Sequence, residues 1–348
     1  MSQNSVIGVI LKLQEPMPQY VLGLIPVILT LGAAPFESLV HKLTWIFKCI
    51  STPYTGLFYC LNIKDNPVEM CIYWLPEEYF VTTNGEILDF QPVGHHVKDM
   101  LITSEQKKIL KNCTANASVL DRLSSLASGY YIIVGISLGI SAMAGQCNNG
   151  NWFFLTWSFL WTIPVIVRRT FGTGILVVKD PKIEFRGRLI RVLEENEDTE
   201  NIELAIQGEN SVDEENLEHF RIPSPSYKKP KFIFTTLFSV ILPWISVGMA
   251  YFTPPIGFFC RSKFLTTLCS IWTFNNLVAC ICHINFGYDF LKGKKTKKII
   301  HAYFVSSGIT ITLFLLLLVV LFNESSFWVY LFGEGCRGNP CLSEDLGT

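Results

Sequence analysis

The sequence predicts an all-α membrane protein, a bundle of six transmembrane helices, or seven if residues 43–63 also span, with small cytoplasmic α/β additions. Only 16% of its 348 residues are charged, whereas 49% are hydrophobic and the mean hydropathy is +0.34. A soluble domain carries about 25% charged residues. The missing charge is concentrated in runs of about 20 residues, the length that a helix needs to cross a bilayer. The net charge of −1 gives no indication of a nucleic-acid partner.

Six apolar runs are long enough to span a membrane. The second and third form a hairpin, because no residue between Leu123 and Val167 is charged and the sequence Asn148-Asn-Gly-Asn151 favours a turn. A seventh run, residues 43–63, is interrupted by Lys48 and Pro53. We interpret it as an interfacial or packed helix, and a seventh span remains the alternative. The predicted spans are Tyr20–Phe36, Tyr130–Gln146, Trp152–Val167, Phe232–Phe252, Phe264–Ile284 and Ile299–Phe322.

The spans divide the chain into six segments. The 62–128 segment is predicted to hold a helix that starts at Ser104 and runs to about Ala127. The 169–231 segment is predicted to begin with two strands, at residues 174–178 and 182–192. The segments are 1–61, with the first span at 20–36 and the weaker helix at 43–63; a cytoplasmic lobe at 62–128; a transmembrane hairpin at 129–168; an acidic cytoplasmic linker at 169–231; three transmembrane helices at 232–322; and an extracytoplasmic tail at 323–348.

Basic residues near the span ends predict the orientation, since Lys and Arg favour the cytoplasmic side. All the large basic clusters lie inside if the third span runs inward. The tail from Asn323 is then outside, and Arg261 and Lys263 form a minority basic pair on that side. The clusters are Arg168 and Arg169; Lys228, Lys229 and Lys231; and Lys292, Lys294, Lys295, Lys297 and Lys298. The last cluster is also a candidate contact for anionic lipid.

The orientation has consequences for covalent modification. Four cysteines, Cys147, Cys260, Cys336 and Cys341, fall outside, where they either form disulfides or remain unrelated thiols. Asn323-Glu-Ser is a candidate glycosylation site on that side. Asn112-Cys-Thr and Asn116-Ala-Ser are also acceptor sequences, although the orientation places them inside. The expected location is the plasma membrane or a secretory-pathway membrane.

Polar residues inside the spans are the main candidates for function. No predicted span contains Asp, Glu, Lys or Arg, which disfavours an ion-coupled transporter. Asn275 and Asn276 lie within the fifth span, and either hold helices together through hydrogen bonds or line a path for passive permeation. Gly135-Ile-Ser-Leu-Gly139 predicts a close helix contact, either within the molecule or between copies.

The sequence carries no motif that indicates catalysis, a cofactor or a metal site. The first functional hypothesis is a passive membrane role that is channel-like, transporter-like or sensory. The alternative is a scaffold that recruits a basic protein through residues 194–218, which hold eleven acidic residues and no Lys or Arg. The same segment is also typical of a flexible linker. The oligomeric state stays open.

A short segment after the fourth span carries a family resemblance. Thr253, Pro254, Pro255, Gly257, Cys260, Arg261 and Ser262 give a Thr-Pro-Pro-x-Gly-x-x-Cys-Arg-Ser pattern. This pattern resembles a motif in a group of fungal multi-pass membrane proteins, and residues 22–39 and Cys147 are also similar to that group. The resemblance implies a fungal origin and an outer arrangement that joins Cys147 and Cys260. It implies no activity.

Overall fold

The computed structural model describes residues 34–63, 66–75, 104–144, 154–172, 174–184, 229–253, 256–284, 294–320 and 325–333. Three helices in this part are long and apolar enough to cross a membrane: Ile233–Phe252, Cys260–Cys282 and Lys298–Leu317. They coincide with the fourth, fifth and sixth predicted spans. The chain is therefore a helical protein of the membrane class, and the full number of six or seven spans stays a prediction.

The described residues include eleven α-helices and one two-stranded sheet. The helices are α1 (Leu39–Ser51), α2 (Pro53–Asn62), α3 (Pro67–Ile72), α4 (Ser104–Asn112), α5 (Val119–Ala144), α6 (Phe154–Ser158), α7 (Ile163–Phe171), α8 (Lys229–Phe252), α9 (Cys260–Ile284), α10 (Lys294–Val320) and α11 (Ser325–Phe332). The strands are β1 (Thr114–Asn116) and β2 (Ile175–Val177).

The three apolar helices α8, α9 and α10 form the centre of the bundle. Helices α8 and α9 are antiparallel, since Trp244 Nε1 donates to Thr273 Oγ1 at 2.9 Å whereas Asn276, further along α9, reaches back to Ser239. Phe264 of α9 stacks on Phe314 of α10 with a centroid distance of 4.6 Å. Trp272 of α9, one of the largest side chains in the core, is fully buried. The described bundle thus has apolar side chains both in its interior and on its outer surface.

Helices α1 and α2 form a hairpin whose two arms both contact Tyr73 and Trp74. Trp45 of α1 lies 4.8 Å from the Trp74 ring, and Tyr59 of α2 lies 5.3 Å from it, measured between ring centroids. Tyr59 also lies 4.8 Å from Tyr73. Because both arms contact Tyr73 and Trp74, the chain enters and leaves the bundle at one end. Residues 43–63 are accordingly packed in the bundle, and they are two helices rather than one.

A small lobe covers this end of the hairpin. Strand β1 pairs with β2 in antiparallel register, with Thr114 opposite Val177 and Asn116 opposite Ile175. The strand predicted at residues 174–178 is thereby confirmed. The strand predicted at 182–192 is wrong over its described start, because residues 181–184 form a helical turn in which Lys182 N donates to the Asp180 carboxylate at 3.0 Å. The lobe has its own apolar core, formed by Val68, Met70, Cys71, Ile72, Leu75, Leu110, Cys113 and Val177. Residues of the predicted 62–128 lobe and of the 169–231 linker therefore share one core.

The single helix predicted from Ser104 to about Ala127 is wrong. The chain turns at Cys113, whose carbonyl accepts from Val178 N at 2.9 Å, and β1 follows. A new helix starts at Ser118, because Ser118 N donates to the Asp121 carboxylate at 3.0 Å and Asp121 N donates to Ser118 Oγ at 3.2 Å. This reciprocal pair is a helix N-terminal capping box with Asp in place of Glu.

The predicted second and third spans differ in regularity. Helix α5 contains the described part of the second, and Gly135 lies so close to α6 that an added Cβ would fall 2.5 Å from Thr156 Cγ2. The contact at Gly135 is thus within the molecule. The third, Trp152–Val167, is not one helix, because a 3-10 turn at Leu160–Thr162 separates α6 from α7 and Pro164 follows. The first predicted span lies almost wholly outside the described residues.

Candidate intramembrane polar site

The hairpin is broken at Thr52 for a local reason. Pro53 has no backbone N–H and cannot continue α1, and Thr52 adopts an extended conformation with φ −131°. Thr55 N donates to Thr52 O at 2.9 Å instead of to Ser51 O. The break leaves the carbonyls of Ile50 and Ser51 and the N–H of Tyr54 without their helical partners. These residues are buried, where an unpaired backbone group costs about 1–3 kcal/mol.

Helix α9 supplies a partner for each of these groups. Trp272 Nε1 donates to Ile50 O at 2.6 Å, and Asn275 Nδ2 donates to Ser51 O at 3.0 Å. Tyr54 N donates to Asn276 Oδ1 at 3.0 Å. The three side chains lie at positions i, i+3 and i+4, which share one face of a helix. We call Trp272, Asn275 and Asn276 the clamp.

The clamp also binds a carbonyl group that a second proline leaves without its helical donor. Pro243 lies inside α8, so it cannot donate to the carbonyl of Ser239 four residues earlier. Asn276 Nδ2 donates to Ser239 O at 3.2 Å. One amide side chain thus compensates for the proline in α2 and for the proline in α8. Asn276 is fully buried between the two helices.

Asn275 extends the polar site to α10. Its Nδ2 donates to Ser307 Oγ at 2.8 Å and to Ser51 Oγ at 3.2 Å, and its Oδ1 accepts from Tyr303 OH at 2.5 Å. Asn275 is fully buried, whereas Tyr303 is 37% exposed. The site therefore runs from the enclosed hairpin tip to the bundle surface. All its members are uncharged hydroxyl, amide, indole or backbone groups.

The polar site lies well inside the apolar helices. Ser239 is six residues from the start of its apolar segment (239 − 233), Asn276 six from the end of its own (282 − 276), and Ser307 nine from its start (307 − 298). At a rise of 1.5 Å per residue these positions are about 9–14 Å from the helix ends. The hairpin tip thus reaches a similar depth in all three helices.

Sequence reasoning found Asn275 and Asn276 and missed their partners. The structure brings both together with the hairpin tip, so the hydrogen-bonding interpretation describes their contacts, while a role in permeation stays a prediction. Trp272, Tyr303, Ser307 and Ser51 were not predicted. The usable signal was Pro53, because a proline inside an apolar run leaves carbonyl groups that need donors from elsewhere.

The segment that carries the family resemblance closes the other end of the bundle. Arg261 Nε donates to Ala250 O at 3.1 Å, and Arg261 Nη2 also donates to Thr253 O, so this guanidinium caps the last turn of α8. Gly257 has φ +144°, a conformation that favours glycine, and Ser262 Oγ donates to its carbonyl at 3.2 Å. Lys263 Nζ caps α11 at Phe332 O, at 2.6 Å. Both basic residues are thus engaged by carbonyl groups at helix C-termini.

The remaining predicted sites are only partly within the described residues. Cys260 is disulfide-bonded, whereas Cys147, Cys336 and Cys341 lie outside the described residues, so the pairing stays a prediction. Asn323 and residues 194–218 also lie outside them. In the lysine cluster, Lys298 is exposed, Lys292 lies outside, and the side chains of Lys294, Lys295 and Lys297 are not described.

Comparisons with known protein families, with curated proteins and with solved structures give no match to this chain. Among the described residues, no group of three or more His, Cys, Asp or Glu side chains could hold a metal ion. The polar site at the hairpin tip is the candidate functional site of the described chain.

Proposed function

We propose that this protein is a passive membrane transport protein for neutral, polar solutes, with the α1–α2 hairpin re-entering the membrane from one side. The observation that carries the proposal is the hairpin tip, which lies at the depth of Asn275 and Ser307 and exposes backbone groups to polar side chains. Irregular backbone at membrane depth is tolerated where it is enclosed by protein or lines a polar cavity. Interrupted helices at this depth commonly form the solute sites of transporters.

The composition of the site supports a neutral solute. Ser51, Asn275, Tyr303 and Ser307 provide donors and acceptors without a formal charge, which suits hydroxyl or amide groups. A charged solute or coupling ion would normally be matched by an opposite charge at this depth. In the described conformation the site is closed, because the amide donors and the carbonyl acceptor of Asn275 are hydrogen-bonded to groups of the protein and are not available to a solute. Transport then requires Tyr303 and Ser307 to release Asn275.

The test is solute flux in proteoliposomes. Osmotic light scattering with urea, glycerol and a sugar alcohol measures permeation, and empty liposomes give the background. We expect flux for at least one solute, and a change of several-fold in that flux for Ser307→Ala and Tyr303→Phe. Both substitutions keep the shape of α10 and remove a hydrogen bond to Asn275.

The matched control is Ser306→Ala. Ser306 is adjacent and exposed, and its hydroxyl donates to Tyr303 O of its own helix at 3.0 Å, so its loss should leave the flux unchanged. Thermal unfolding in detergent confirms that each variant is folded. No flux above empty liposomes for any solute, or equal flux in all folded variants, would overturn the proposal.

A further inference from the structure

Two cysteines meet in the core of the lobe, 42 residues apart in the chain (113 − 71). Cys71 lies in α3 and Cys113 in the turn between α4 and β1. The Cys71 thiol lies 3.3 Å from Leu110 O, and the Cys113 thiol lies 3.3 Å from the neighbouring Ile109 O. The Cys71 thiol is also within hydrogen-bonding reach of the Cys113 sulfur. Both side chains are fully buried, so their neighbours hold the two sulfurs together.

The contact makes the two thiols chemically different. The hydrogen bond with Cys113 raises the pKa of Cys71, and burial raises it further. The same hydrogen bond, given by Cys71, lowers the pKa of Cys113, and Lys179 lowers it as well. Burial, Glu184 and Asp180 act against this shift. Cys113 is therefore the more acidic of the two thiols, and Cys71 is the one that keeps its proton to higher pH. A thiolate is the reactive form of cysteine.

We propose that Cys71 and Cys113 are an oxidation site at which hydrogen peroxide converts two thiols to one disulfide. Peroxide is the class of oxidant that fits, because both sulfurs are enclosed by Val68, Leu110 and Val177 of the lobe core and a larger disulfide reagent would need the lobe to open. The inference does not rest on the transport proposal.

The reaction is balanced with peroxide as the only co-reactant. The Cys113 thiolate attacks one peroxide oxygen, an S–O bond forms, the O–O bond breaks, and the leaving hydroxide takes up a proton to give water. Cys71 then loses its proton and attacks the Cys113 sulfenic acid, so that an S–S bond forms and the S–O bond breaks, releasing the second water. Two thiols are oxidised by two electrons in total, and one peroxide is reduced to two waters.

The disulfide would act on the base of the hairpin. It ties α3 to the α4–β1 turn, and Tyr73 follows Cys71 by two residues. Tyr73 and Trp74 contact both arms of the hairpin. Oxidation therefore adds a covalent link to the segment that contacts the hairpin, whereas the reduced pair leaves this segment held by non-covalent contacts such as that of Cys71 with Leu110 O.

The experiment uses the full-length protein purified in detergent. The protein is reduced, freed of reductant and treated with one equivalent of hydrogen peroxide, and all remaining thiols are alkylated under denaturing conditions before proteolysis and mass spectrometry. We expect a linked peptide that joins Cys71 to Cys113, while Cys49 and Cys269, also buried free thiols, are recovered alkylated. Recovery of Cys71 and Cys113 in alkylated form, or linkage of either to another cysteine, would overturn the proposal.

Two variants assign the order of the steps. In Cys71→Ser, Cys113 should stop at the sulfenic acid and yield a dimedone adduct. The matched control, Cys269→Ser, removes a buried thiol of the bundle and should form the Cys71–Cys113 link as the wild type does. An adduct absent from Cys113 in folded Cys71→Ser contradicts the proposed nucleophile. If that variant does not fold, the linked peptide from the wild type still decides the proposal.

Discussion

At the scale of single residues, Gly308 sets the closest approach between the hairpin and α10. A Cβ built on Gly308 would lie 2.0 Å from the carbonyl oxygen of Phe47 in α1, a distance at which backbone must move. We therefore expect Gly308→Ala to separate α1 from α10 and to lower the free energy of unfolding by about 1–3 kcal/mol or more. Thermal unfolding in detergent measures the loss as a lower midpoint temperature.

The control for this substitution is Gly248→Ala. Gly248 is also a helical glycine in an apolar helix, but a Cβ there would meet nothing within 4 Å. Alanine favours a helix by about 0.8–1.0 kcal/mol relative to glycine, so this variant should be as stable as the wild type or more so. A wild-type midpoint for Gly308→Ala would mean that the two helices do not touch at Phe47.

Residue-scale chemistry was partly readable from the sequence. Asn275 and Asn276 stand out because amides are rare in an otherwise apolar run, and Pro53 marks an interruption. Their connection was not readable, since Ser51 and Asn275 are 224 residues apart and only the packing of α1 against α9 brings them together. The pairing of Cys71 with Cys113 was hidden for the same reason.

At the scale of elements, Asn276 of the clamp contacts two interrupted helices, α2 and α8. Asn276→Leu has a similar volume but removes the buried hydrogen bonds that Asn276 makes to Tyr54 N–H and Ser239 C=O. A lost buried hydrogen bond costs about 1–3 kcal/mol for each group that it satisfied, so we expect a loss of roughly 2–6 kcal/mol in the free energy of unfolding. Denaturant titration in mixed micelles gives this value.

Thr267→Val serves as the matched control on the same helix. Thr267 is exposed, and its hydroxyl donates to Lys263 O of its own helix at 2.9 Å, so its replacement should change the stability by less than about 0.5 kcal/mol. If Asn276→Leu were no more destabilising than this control, the hydrogen bonds of Asn276 would have no role in holding the hairpin.

Elements with a long apolar run were predictable, whereas most of the short ones were not. Helices α8, α9 and α10 follow directly from runs that lack charge, and the β2 strand follows from Ile175-Leu-Val. The helix predicted across Cys113 failed because its apolar residues continue on both sides of β1, so periodicity alone could not place the break. The Ser118–Asp121 cap was the local signal that a new helix begins.

At the scale of the whole molecule, the hairpin decides which parts of the chain share a side of the membrane. Its arms meet the lobe at Tyr73 and Trp74. The start of α1 is also near the lobe, because the pKa of Asp180 in the lobe is raised first by burial and also by the negative charge of Glu37, which lies just before α1. The loop between α8 and α9 lies at the opposite end of the bundle. A hairpin that enters and leaves the membrane on one side adds no crossing, so the segments before and after it lie on the same side.

The expected outcome is that both ends of the hairpin face the same compartment as the lobe. Cysteine placed at Glu37 or at Leu61, both exposed, should react with a membrane-impermeant maleimide from one side only, as should cysteine at the exposed Lys111 of the lobe. Cysteine at the exposed Ile256, in the α8–α9 loop, should react only from the other side. Wild-type protein labelled in parallel gives the background from native cysteines. Labelling of Glu37→Cys and Leu61→Cys from opposite sides would make residues 39–62 a true crossing and remove the structural basis for a re-entrant solute site.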